Sequence, residues 1–419
     1  MKTKLLFPLL LLLTVGAAAQ TSKKEIYKDI NRSGTTYFAY PGPSQKVLTP
    51  APAGYKPFYI SHYGRHGSRY MTSNKYYEYA VSKLDTAAML GILKPKGQEV
   101  LEKLHVAYAD ALNRDGDLTP LGGRQHREIA HRMYERFPEL LSQPLHVDAR
   151  SSTIGRCMVS MFNFCNELQG LNADLDIRMD ASRRDMPFVV ANEHIKLEET
   201  PKAGEYEEWL ERMIDKYYKP ARLFKTIFTD VSKAEELIDG QILMDCLRNI
   251  AHDMQSVPEL GISLLDVFTR EELWGMFMVD NSGWMVISGL APGSTPYYLY
   301  QKEARDSIVQ FADQAIDSGE PSLSLRFSHD SSVLPLAYLM GIKETMGATA
   351  DLEHLYKHIS LDKIIPMAGN IQLVFYRKDG SDDILVKFLL NENETSIPVK
   401  TDVAPYYHWN DVKSYWESR

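Results

Sequence analysis

The chain has 419 residues, 44% of them hydrophobic and 24% charged. This is ordinary globular composition at a length that fits two or three domains, or one large domain carrying an insertion. It excludes disordered, collagen-like and coiled-coil readings, and a formal net charge of −8 argues against a general binder of nucleic acid or anionic membrane.

At the start of the chain, Lys2 and Lys4 precede an apolar run over 5–15 and the small residues at 16–19. This is the pattern of a secretory signal peptide, with cleavage expected between Ala19 and Gln20. The run is too short to span a bilayer, and no later stretch reaches transmembrane length. The expectation is an exported soluble protein, periplasmic or secreted. Residues 20–54, rich in proline, read as an irregular lead-in. An apolar, β-rich run at 58–63, stopped by Gly64, predicts a strand. Helical patterning follows at about 75–90, 96–113 and 121–136, then a short strand at 145–149 and a helix over 152–169.

Between 186 and 316 the helical windows 206–218, 234–253 and 271–278 dominate, and no strand pair is evident. This reads as an inserted, mostly helical cap. A strand at 323–327, a helix around 333–340, and a hairpin with arms 370–376 and 383–390 about Asp379-Gly380 complete the pattern. The expected organisation is a signal peptide at 1–19, an α/β domain at 20–185 and 317–419, and a helical cap at 186–316.

The three cysteines provide no disulfide framework. Cys157 and Cys165 fall in one predicted helix, where eight residues of rise separate them by roughly 12 Å, too far for a bridge. At most one bridge, to Cys246, is open to them, and buried free thiols are expected. None of the three has an arginine six residues on, as a cysteine nucleophile wants: Asn163, Leu171 and His252 stand there. Asp174-Leu175-Asp176 lies in a polar stretch without the strand a paired-aspartate nucleophile needs. There is no metal-ligand spacing, no H-E-x-x-H and no G-x-S-x-G.

The sharpest local feature is Arg65-His66-Gly67-Ser68-Arg69, directly after a strand. Ligands of open α/β sheets bind beyond the carboxyl ends of strands, and guanidinium forks match phosphate oxygens in pairs. A second strand-to-turn element carries His329-Asp330, with Asp330 or Ser331 available to cap a helix whose first turn would hold Pro335. Taken singly, a histidine, a capping aspartate or an arginine-rich loop is ordinarily structural. Two such turns, one rich in arginine and one bearing a carboxyl, point to phosphate chemistry.

These residues resemble the histidine acid phosphatases, the clade that holds phytases and multiple inositol polyphosphate phosphatases. The family motif is R-H-G-x-R followed far downstream by H-D, or H-A-E in the inositol polyphosphate group. Leu118-Thr119-Pro120-Leu121-Gly122 is similar to the family's L-T-x-x-G, and Arg156-Cys157 after Ser151-Ser152 is similar to the segment supplying a third phosphate-binding arginine. The resemblance covers roughly 55–410, and 61–65, 180–183 and 370–376 look nearest to bacterial inositol polyphosphate phosphatases. Asp330, where that group has Ala followed by Glu, is the departure.

The resemblance implies an α/β fold, a central mixed sheet flanked by helices like phosphoglycerate mutase, with the cap inserted. It implies a phosphomonoesterase in which His66 is the nucleophile, Asp330 the general acid, and Arg65, Arg69, Arg156 and His329 the phosphate-binding residues, with no metal and no cofactor. The expected partner is a small phosphate ester, an inositol polyphosphate such as phytate. Lys75, Arg183 and Arg184 are further candidates to hold its outer phosphates, and oligomeric state stays open. A broad acid phosphatase and a non-catalytic secreted anion-binding protein are the alternatives.

Overall fold

The computed structural model describes residues 22–191, 197 and 203–419, so the expected signal peptide lies outside the described residues. The first stretch contains α1 Lys23–Lys28, β1 Tyr55–Arg65, α2 Lys75–Met89, α3 Pro95–Ala111, α4 Pro120–Arg136, α5 Pro138–Leu141, β2 His146–Ser151, α6 Gly155–Leu171 and β3 Asp176–Asp180. Helices then dominate: α7 Met186–Val189, α8 Ala203–Tyr217, α9 Pro220–Ile227, α10 Val231–Leu237, α11 Gly240–Asp253, α12 Arg270–Ile287 and α13 Lys302–Ser318. The last part runs β4 Ser322–Ser328, α14 Asp330–Met340, α15 Leu361–Ile364, β5 Asn370–Lys378, β6 Leu385–Leu390, β7 Asn393–Glu394, β8 Tyr406–His408 and α16 Trp409–Glu417.

The strands form one mixed sheet in the order β3-β2-β4-β1-β5-β6-β7, with β8 also on β6. β1, β2, β3 and β4 pair in parallel, whereas β5 and β6 run antiparallel. Side chains alternate across a strand, and the sheet splits its apolar residues accordingly. Tyr59 and Tyr63 of β1 pack on one face with α13 and α14, joined by Phe58 because the register shifts between Pro57 and Tyr59, while Ile60 joins Leu323, Leu325 and Phe327 of β4 on the other, under α4 and α6. A third apolar cluster joins α2 and α3 to residues of α8 through α12, so the helical layer is built from both sides of β2 in the sequence.

Capping explains where key helices begin. Thr119 Oγ1 accepts from Gly122 N at 3.2 Å, with Pro120 in the first turn of α4. Thr269 and Glu272 form a reciprocal capping box on α12.

The structure corrects several local expectations. The 20–54 segment is not wholly irregular: Ser22 and Glu25 box the start of α1, and a 3-10 stretch follows at Ile30–Tyr37. The single window 234–253 is two helices, because Asp239 leaves the helical conformation and caps α11 through Ile242 N. Asp176 does begin a strand, β3, but at the sheet edge with its side chain exposed. α14 starts at Asp330, earlier than the pattern suggested, so His329 occupies the cap position without a side-chain bond to the helix's first N–H groups, and Pro335 sits beyond the first turn. All three cysteines are free and buried. No helix among the described residues is long and apolar enough to cross a membrane.

Candidate active site

Strand register gathers the site. Arg65, the last residue of β1, lies opposite Ser328, the last of β4, and Ser151 at the end of β2 lies opposite Phe327. Three neighbouring parallel strands therefore release their chains on one edge, and the next residues are His66, His329 and Ser152. The rings of His66 and His329 stand 5.6 Å apart, edge to face.

The loop after β1 is pinned by its backbone. His66 N donates to Ser328 O at 2.9 Å, and Ala368 N donates to His66 O at 2.9 Å. Gly67 N donates to Ser160 Oγ, Ser68 N to Gln125 Oε1, and Thr119 N and Oγ1 to Ser68 O. Gly67 is obligatory here, since a Cβ would stand 2.5 Å from Gly122 O and 2.6 Å from Gly122 Cα. The L-T-x-x-G element thus serves as the floor against which the R-H-G loop is pressed.

His66 Nδ1 donates to Gly67 O at 2.9 Å, which leaves the lone pair on Nε2. Burial, with Arg65, Arg156 and Arg69 close by, holds the His66 imidazole neutral far below the usual histidine range. Arg65 is completely buried; its Nη1 donates to Thr36 O at 2.6 Å and Ile365 O at 2.7 Å, and its Nη2 pairs with Asp330 Oδ2 at 2.7 Å. Arg69 lies over the Tyr37 ring, 5.1 Å from its centroid, and donates to Tyr70 O at 2.9 Å. Arg156, half-buried at the start of α6, reaches His329 Nδ1 with Nη2 at 3.4 Å.

His329 is pushed down to about 4, by burial first and then by Arg156. Burial alone would raise the Asp330 carboxyl, but Arg65 and Arg69 outweigh it and hold Asp330 below the usual carboxylate range. The six residues expected from the motifs therefore converge. A neutral imidazole with one open nitrogen, three guanidinium groups and a carboxyl form an arrangement that can accept a phosphoryl group and exchange a proton with its leaving oxygen.

Lys75, Arg183 and Arg184 are exposed, and Arg184 is paired with Asp180 and Asp185. Sequence reasoning missed Tyr37, Ser152, Ser160 and Asp253. Asp253, at the end of α11, is fully buried, accepts from the Met71 backbone and acts on Arg69 from the helical layer. No spacing rule joins positions so far apart, though Ser152 stood beside a motif already noted.

No family model matches the chain. It is 22% identical over 400 residues to multiple inositol polyphosphate phosphatase 1 of Gallus gallus, covering 87% of this chain and 82% of that protein. Among solved structures, the multiple inositol polyphosphate phosphatase of Bifidobacterium longum in complex with phosphate matches with a TM-score of 0.75 at 19% identity, over 92% of this chain and 97% of the other. The phytase from D. castellii matches with a TM-score of 0.67 at 17% identity, over 93% and 85%. With its motifs in family order and its fold shared over most of its length, the chain is similar to the histidine acid phosphatases.

Proposed function

We propose that the protein is an exported phosphomonoesterase acting on inositol polyphosphates through a phosphohistidine at His66. The observation that carries this reading is the open Nε2 of a buried, neutral His66 among Arg65, Arg69 and Arg156. Its Nε2 lone pair attacks phosphorus, a P–N bond forms, and the bond to the leaving alcohol oxygen breaks. The arginines and His329 balance the equatorial oxygens, whose charge the loose transition state spreads among them. Asp330 gives its proton to the alcohol oxygen, then takes one from the water that cleaves the P–N bond.

Asp330 is held ionised by Arg65, so it must gain that proton as substrate binds. A phosphate dianion on Arg65 and Arg69 offsets the charges that hold Asp330 down, which moves its pKa up. The names of the relatives favour an inositol polyphosphate. Asp330 directly after His329 departs from the Ala-Glu pair of the inositol polyphosphate group and keeps broad action on small monoesters as the second reading.

The test is twofold. His66→Ala should abolish turnover, and brief exposure of the wild type to 32P-labelled substrate should leave an acid-labile, base-stable label that His66→Ala lacks. Substantial turnover by the variant would sink the nucleophile assignment. Comparing phytate with simple sugar phosphates across pH separates the two substrate readings.

A further inference from the structure

The neighbours of His329 define its tautomer, and Ser152 anchors the result. A guanidinium has hydrogens to donate and no lone pair to offer. Arg156 Nη2 lies 3.4 Å from His329 Nδ1, so in the neutral ring Nδ1 holds the lone pair and Nε2 holds the hydrogen. That hydrogen meets Ser152 Oγ, 3.1 Å away. Ser152 is a rigid acceptor: it is fully buried, its N–H donates to Phe327 O at 3.0 Å, and its carbonyl accepts from Ser151 Oγ at 2.8 Å. Cys157 Sγ, 3.6 and 3.8 Å from the two ring nitrogens, packs against the imidazole.

We propose that Ser152 is a positioning residue that keeps the Nε2 hydrogen of His329 turned away from the phosphate-binding arginines, so that an anion seated on Arg156 is met by Nδ1 and draws a proton from solvent onto that nitrogen. A lone pair facing an anionic oxygen repels it, whereas an N–H donates to it. The charged and titratable groups facing the ring are Arg156 and Cys157 from α6, Arg65, His66 and Arg69 from β1 and its loop, and Asp330 beside it. Burial first, and then the three arginines, hold the ring neutral, and a bound dianion cancels part of the arginines' field. The inference rests on the reading of Arg156 as a phosphate-binding residue.

Two measurements test it without turnover. Nitrogen-15 NMR of the wild-type protein at neutral pH should show His329 with a pyrrole-like Nε2 and a pyridine-like Nδ1. Calorimetry with inorganic sulfate, whose own protons do not titrate at neutral pH, in buffers of different ionisation enthalpy should show proton uptake on binding that is smaller by about one proton in His329→Asn, apart from any uptake by Asp330. Ser152→Ala should scramble the tautomer and lower kcat/KM about tenfold, the effect of one hydrogen bond. A protonated Nδ1 in the ligand-free protein, proton uptake on sulfate binding that His329→Asn leaves unchanged, or a Ser152→Ala variant with the wild-type tautomer would overturn the proposal. If the protein hydrolyses no phosphate ester while the tautomer and proton uptake stand, the functional reading fails and this one does not.

Discussion

Arg65 illustrates how one residue can belong to the scaffold and the chemistry together. One end of its guanidinium is tied to the Thr36 and Ile365 carbonyls, and the other is paired with Asp330. The carboxyl expected to act as an acid is thereby held ionised. The pH dependence follows. The kcat/KM profile reports the free enzyme, where Asp330 sits low, and kcat reports the complex, where bound phosphate has offset Arg65 and Arg69. The basic limb of kcat should therefore lie at higher pH than that of kcat/KM, and coincident limbs would show that substrate does not lift Asp330. Asp330→Asn should slow esters with poor leaving groups far more than good ones, because only the former need a proton as the bond breaks. Equal losses for both would remove Asp330 from the acid role.

Among the elements, the contact that matters most is between the loop after β1 and the first turn of α4. Gly67 and Gly122 approach so closely that a Cβ on Gly122 would lie 2.2 Å from Ser68 O, a backbone atom that cannot step aside. Gly122→Ala should displace the loop that carries His66 and Arg69, costing about 1–3 kcal/mol of stability as overpacking does. Activity should fall by more than that loss of folded protein explains. Chemical denaturation beside single-turnover rates checks this, and a variant with wild-type rates would show that the contact does not position the site. Both glycines were visible as parts of separate motifs. That one presses on the other was not, because they stand 55 positions apart and only packing joins them.

In the molecule as a whole, the buried histidines that take no part in the proposed chemistry govern the response to acid. His62, His126 and His252 are each held down to about 3 by burial, against about 6.5 for a solvated imidazole. Between these values the unfolded chain binds protons that the folded one refuses, so folding stability rises with pH across that window and falls on acidification through it. Asp253 acts in the opposite sense. Burial raises it to about 7, so its contribution favours the fold at low pH and fades as pH rises through that value. Asp280 is also raised by burial, though Arg248 opposes it; with three histidines against these two carboxyls, the urea midpoint should drop as pH is lowered from about 6.5 towards 3. The slope should flatten in His62→Leu, and a midpoint unchanged across the window would contradict the burial of these rings as neutral groups.

The sequence by itself determined the alternating strands, the helices between them and the six residues of the candidate site, since period, turn chemistry and motif spacing are local properties that a linear chain displays. Even the expectation of a basic pocket on an acidic chain came from one loop of five residues. Only the tertiary structure decided that β1, β4 and β2 would end on one edge in register, bringing His66, His329 and Ser152 together. It also decided that Arg65 would hold Asp330 ionised, that α2 and α3 would join the helical layer, and that the 234–253 window would break at Asp239. The reason is physical. Protonation states and close packing depend on distances between groups remote in sequence, and those distances exist only once the sheet has assembled.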